Sequence, residues 1–240
     1  MMHWARHISF AAFYLTATLF VVKAESQNVP VETPATHASA TQIIFKFDRP
    51  VAGVSVPHYT VELRSDGTGS YHAEALNPQG QTQIIDRPLT FTPPTVKAAL
   101  AAVQQLRDSK IPCASSVKNI ADTGTKTLTV HDPKVSTDLD CTYNFSENKA
   151  VATLTILFQY IEETLEQGRI LDFKRRFDRL GLDAAMITLV TSVEAGRAIE
   201  LGNISSTLQS IAANTDLIKR VRLHAANLLE RAKAEESGSQ

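Results

Sequence analysis

Three polar side chains in the segment His58 to Ala75 have types and spacings that permit proton chemistry. His58, Glu62 and His72 all fall on the polar side of an alternating pattern. In an antiparallel hairpin a Glu and a His facing each other touch, and His titrates near neutrality. An acid–base pair or a metal cluster is the chemistry this would allow. Opposite-sign residues also decorate solvated sheet faces with no further role, and that simpler reading competes with it. Cys113 and Cys141 are the only two cysteines in the chain. A catalytic Cys needs a His or other activating partner, and nothing in the sequence gives a basis for pairing either Cys with a His. A structural disulfide is therefore expected.

Asp122-Thr123-Gly124-Thr125 matches the Asp-Thr-Gly signature of aspartic proteases, in which two carboxylates share one proton. One copy is present, so a dimer would have to supply the second aspartate. Asn119-Ile120-Ala121 is poor in apolar residues for the strand that should precede it. The same four residues make a good turn, because Asp and Gly favour turns for local hydrogen-bonding and backbone reasons. No HExxH, CxxC pair, GxSxG, GxxxxGK[ST] or GxGxxG occurs, so no motif calls for a metal, a cofactor or a nucleotide.

The elements that would position these residues follow from periodicity. Thr41 to Asp48 alternates, with Ile43, Phe45 and Phe47 on one side. In the hairpin that follows, a three-residue loop Asp66-Gly67-Thr68 would set Tyr71 opposite Leu63, Ala73 opposite Val61 and Glu62 opposite His72. Gln81 to Phe91 reads as one or two short strands broken at Pro88. Thr92 then caps a helix whose first turn holds Pro93 and Pro94 and which ends near Lys110. Lys126 to His131 and Leu139 to Phe145 are two further strands. A long helix is expected from Ser146, as N-cap, to Gly168, as stop, with Val151, Leu154, Leu157, Phe158, Ile161 and Leu165 in one stripe. Ile156 and Tyr160 lie off the stripe and suggest a second contact side.

Beyond Gly168 the pattern is helical only. A short charged helix over Asp172 to Leu180 mixes Lys174, Arg175, Arg176 and Arg179 with Asp172 and Asp178, as an exposed ion-paired helix does. Asp183 to Leu201, Ile204 to Ala213 and a last helix capped by Thr215 follow. The expected fold class is α+β, an antiparallel sheet of five or six strands packed on helices, followed by an all-helical C-terminal part. The expected divisions are a signal peptide at 1–24, a flexible leader at 25–40, the sheet-and-helix domain at 41–168, the helical subdomain at 169–233 and a disordered tail at 234–240.

The chain has 240 residues with ordinary globular composition, 43% hydrophobic and 20% charged. Residues 1–24 carry a basic start, an apolar run from Ile8 to Val22 and the small-x-small sequence Val22-Lys23-Ala24, the marks of an export signal. The run is shorter than the roughly 20 residues a spanning helix needs, so no stable membrane anchor is expected after cleavage. Cleavage would remove Arg6 and Lys23 and no acid, leaving 22 basic against 25 acidic residues. That balance gives no reason to expect nucleic acid as a partner. In an oxidising compartment Cys113 and Cys141 would pair.

Pro57-His58-Tyr59-Thr60-Val61-Glu62-Leu63, then Asp66-Gly67 and Tyr71, resemble the opening of small exported bacterial domains of unknown function, and the likeness extends loosely to about residue 145. Asp216 to Ala232 resembles one helix of a HEAT-type repeat, whereas such stacks need about three units. Neither resemblance implies an activity. The sequence therefore points to an exported, soluble, disulfide-stapled protein that acts as a non-catalytic binding or structural module, its partner an unidentified protein or small molecule. The alternatives are a hydrolase using Asp122 or the Glu62/His72 face, and an inhibitor or chaperone-like module.

Overall fold

Six antiparallel strands form one sheet in the order β4-β3-β2-β1-β5-β6. They are β1 (Gln42–Asp48), β2 (His58–Arg64), β3 (Thr68–Leu76), β4 (Thr82–Thr90), β5 (Thr125–His131) and β6 (Leu139–Tyr143). The computed structural model describes residues 40–51, 53–77 and 80–238. The expected signal peptide and nearly all of the expected leader lie outside them. Period-two alternation sends Ile43, Phe45, Tyr59, Val61, Leu63, Tyr71, Ala73, Leu128, Val130, Cys141 and Tyr143 to one buried face. Two helices cover that face, α1 (Pro93–Asp108) and α2 (Lys149–Phe177). The architecture is α+β, and a helical C-terminal part follows: α3 (Leu182–Glu194), a 3-10 turn (Leu201–Ile204), α4 (Ser205–Ala213) and α5 (Lys219–Glu236). The described residues all belong to one compact unit.

α2 is the element the layers share. Val151, Leu154, Phe158, Ile161 and Leu165 are buried, and the Phe158 ring stacks on Phe45 of the central strand at 5.3 Å. The helix begins later than Ser146. Asn148 is the N-cap, its Oδ1 accepting from the Ala150 N–H at 3.0 Å while its Nδ2 donates to Ser109 Oγ and Ile111 O. An amide side chain can cap a helix through its oxygen while its NH2 ties down the end of a neighbouring one, and Ser146 instead accepts from the Asn148 N–H.

Gly168 does not stop α2. A Cβ there would lie 2.4 Å from Ile204 Cγ2, so the glycine lets the 3-10 turn approach the helix. Glycine costs about 1 kcal/mol in a helix interior, which this packing offsets. Asp172 to Phe177 of the separate helix expected over Asp172 to Leu180 are thus the end of α2, and a boundary drawn at residue 168 falls inside one continuous rod. The side of α2 that meets the C-terminal helices is also different from the one expected. Ile156 is 47% exposed. The contacts are Thr164 Oγ1 donating to Ile199 O, Ser192 Oγ donating to Glu163 Oε1, and Gly168 under Ile204. Small or polar residues serve here because the backbones come close.

The hairpin is offset by two residues from the expected pairing. Val61 faces Tyr71 and Thr60 faces His72, around a Ser65-Asp66-Gly67 loop with Gly67 at φ +83°. Glycine accepts that left-handed position without steric cost. A shift of two preserves faces, so the buried set is unchanged while the partners across the strands differ. Pro88 lies inside an unbroken β4, tolerated because β4 is an edge strand. α3 ends at Glu194, before a left-handed Gly196, and α5 begins at Lys219, not after Thr215. Ala234 to Glu236, expected to be a frayed tail, are helical, and Leu201 N–H donates to Glu235.

The N-terminus of α1 is held from the C-terminal part. Thr92 caps it with two prolines following, as the sequence implies, but its hydroxyl and N–H both donate to the carboxylate of Glu200. Glu200 is buried and stands at φ +59°, a strained setting for a side-chain-bearing residue. A carboxylate on the positive end of a helix dipole offsets that strain. Cys113 and Cys141 form the disulfide, Cα to Cα 5.8 Å, joining the chain just past α1 to β6.

Candidate functional site

The residues singled out for proton chemistry are not brought together. His58 Nδ1 lies 2.8 Å from Asp48, and His72 Nδ1 lies 2.7 Å from Asp86. Glu62 pairs with Arg64 and faces Ser70 across the strands. His131, which stands alone in the sequence, pairs with Asp138 at 2.7 Å. These contacts lie on the polar face of the sheet, and the two-residue offset of the hairpin is what separates Glu62 from His72. Among the described residues no group of three or more His, Cys, Asp or Glu is arranged to hold a metal ion.

Asp122 makes a turn. Its Oδ1 accepts from the Gly124 N–H at 2.9 Å, with Gly124 at φ +90°. The loop wraps the buried ammonium of Lys126, which donates to Thr123 O, Gly124 O and Asn144 O and sits 5.7 Å over the Phe47 ring. Burial pulls the Lys126 amine below its usual range, against the pull of Asp122. Asn144 accepts from Thr123 N–H and donates to Ala121 O, and Asn203 brackets Thr90 in the same way. Both asparagines that head a glycosylation-type triplet thus use their amides to hold neighbouring chain.

The unusual electrostatics lie elsewhere, under the second half of α2. Glu166 and Arg169 form a two-point ion pair at 2.6 and 2.7 Å, with Glu166 buried. One turn earlier, burial and the charges of Glu166 and Glu163 push Glu162 up to about 8, against Arg169. At neutral pH Glu162 therefore holds its proton, while Glu166 is fixed on Arg169. Tyr59 and Tyr71 face this group from the sheet, and burial, with Glu162 next, raises both phenols above their ordinary range. The hydrogen bonds that Arg169 donates to Glu166 raise its guanidinium further.

Two cavities flank the Glu166–Arg169 pair. One, of about 160 Å³, opens between α2 and the β3–β4 edge and is lined by Tyr71, Arg87 and Leu165 among others. The second, of about 450 Å³, lies between α2 and the loop from Arg49 to Pro57. That loop is seated by Arg49 N–H donating to Pro57 O and Leu76 N–H donating to Ser55 O. The walls of the larger cleft are mainly apolar: Val54, Leu76, Ile170 and Phe173. The apolar line of the cleft continues along α2 at helical spacing to Phe177, 73% exposed, whose ring meets Phe173 at 5.1 Å. Leu180, just past the helix, is 97% exposed.

Sequence reasoning passed over Glu162 and Glu166. The usable signal was their position: each immediately follows a stripe residue, Ile161 or Leu165, and they are four apart. Carboxylates at i and i+4 on the border of a core-facing stripe are set where burial shifts them. No protein-family model matches the chain, and no curated protein is significantly similar to it.

Proposed function

We propose that this is an exported binding module without a reaction centre of its own, and that its partner is a protein that places an apolar anchor in the cleft beside Phe173. The observation that carries the reading is the run Ile170, Phe173, Phe177 and Leu180, which passes from the cleft wall into solvent. Isolated exposed hydrophobics are ordinary, whereas a continuous apolar line leading out of a cleft marks a contact surface. The rim adds charge. Residues 166–180 hold five basic and three acidic side chains, so an anchor flanked by acidic residues is the complementary partner. The disulfide fits an extracytoplasmic setting. The catalytic alternative loses support because His58, Glu62, His72 and Asp122 have separate partners.

A photo-crosslinking residue placed at Phe177, with a control at the outward-facing Thr127, tests this in the exporting cell. Both substitutions are at positions outside the core. The expected result is a discrete adduct from position 177 that disappears when Leu180→Asp is added, and none from position 127. Adducts of equal yield from both positions, or none from 177, would overturn the proposal.

A further inference from the structure

The smaller cavity carries a separate inference that does not rest on the protein-partner surface. The Tyr71 side chain is 3% exposed and lines this cavity, yet its hydroxyl has no hydrogen-bond partner. A buried polar atom left in this way calls for an explanation, and an unfilled ligand position is one. Arg87, half-buried on edge strand β4, also lines the cavity and has no ion-pair partner among the described residues. The acids of the lining are already engaged: Glu166 by Arg169, and Asp172 by Arg175 and Arg176. The charge left uncompensated is therefore one positive guanidinium, beside a hydroxyl donor. Burial and the neighbouring carboxylates keep that hydroxyl protonated, so it remains a donor at any ordinary pH.

We propose that this cavity binds a small monocarboxylate, its oxygens taken by the Tyr71 hydroxyl and the Arg87 guanidinium and its compact apolar body resting on Ile85 and Leu165. The size agrees, since a cavity of about 150 Å³ accommodates one benzene ring, and this one measures about 160 Å³. A water molecule would satisfy Tyr71 but leave the charge of Arg87 unmatched. A multiply charged oxyanion finds only one free cation and two apolar walls.

Calorimetric titration of the mature, oxidised chain with sodium benzoate, at constant ionic strength, tests the proposal. Benzamide serves as the uncharged analogue and inorganic phosphate as the anion without an apolar body. One-to-one binding of benzoate below about 1 mM is expected, with benzamide at least tenfold weaker and phosphate showing no saturable heat. Tyr71→Phe and Arg87→Gln should each weaken benzoate at least tenfold. Tyr71→Phe removes a hydroxyl that bonds to nothing, so its melting temperature should not fall, and Arg87→Gln alters an edge-strand side chain outside the core. No benzoate binding, equal affinity for benzoate and benzamide, stronger binding of phosphate, or undiminished binding by both variants would each overturn it.

Discussion

A single carboxyl, Glu162, shows how the site departs from what side-chain type alone suggests. Its ordinary value is 4.5, and in the fold it is pushed up to about 8 by burial and by Glu166 and Glu163, with Arg169 opposing and Tyr59 and Tyr71 across from it. The folded chain thus holds this proton more tightly than the unfolded chain does. Stability from this group is complete below the unfolded value, falls as pH rises from about 4.5, and levels off above about 8. Glu162→Gln keeps the shape and removes the titration. Urea unfolding should find the variant equal to the wild type near pH 4.5 and more stable at pH 8.5 by on the order of 2–4 kcal/mol. A constant difference across that range would show that Glu162 is not held protonated. At this scale much was hidden in the sequence: Glu62 and His72 looked like partners, and a two-residue slip in one hairpin was enough to part them.

Elements were far more legible than pairs. Alternation in Thr41 to Asp48 and in KTLTVH located β1 and β5, and the proline pair after Thr92 located α1, because burial on one face leaves a period in the sequence. Stops were harder to read. Gly168 carries the signature of a helix end, but its role depends on Ile204, a residue 36 positions away that no local pattern reveals. The two cysteines were legible because an expected export signal makes disulfide pairing of an only pair economical, and the bond does join the end of α1 to β6. Its contribution is a prediction at this scale. Replacing both Cys113 and Cys141 by Ala opens a loop of sequence separation 28, and should cost about 3–4 kcal/mol in denaturant unfolding. A loss under about 1 kcal/mol would mean that Asn148, through its bonds to Ser109 and Ile111, already holds that corner.

The whole molecule depends on α2 remaining one rod. Its first half packs Phe158 on the sheet, its middle admits the 3-10 turn over Gly168, and its last third presents Phe173 and Phe177 beside the cleft. Rigid presentation is what lets a cleft recognise an anchor without paying to order itself. Amide hydrogen exchange of the folded chain, read residue by residue from Lys149 to Phe177, is the direct test. The account predicts one block of protection, with amides on both sides of Gly168 opening together and the final turn alone fraying. A step at Gly168, with residues 169–177 exchanging as a separate and much less stable unit, would contradict it.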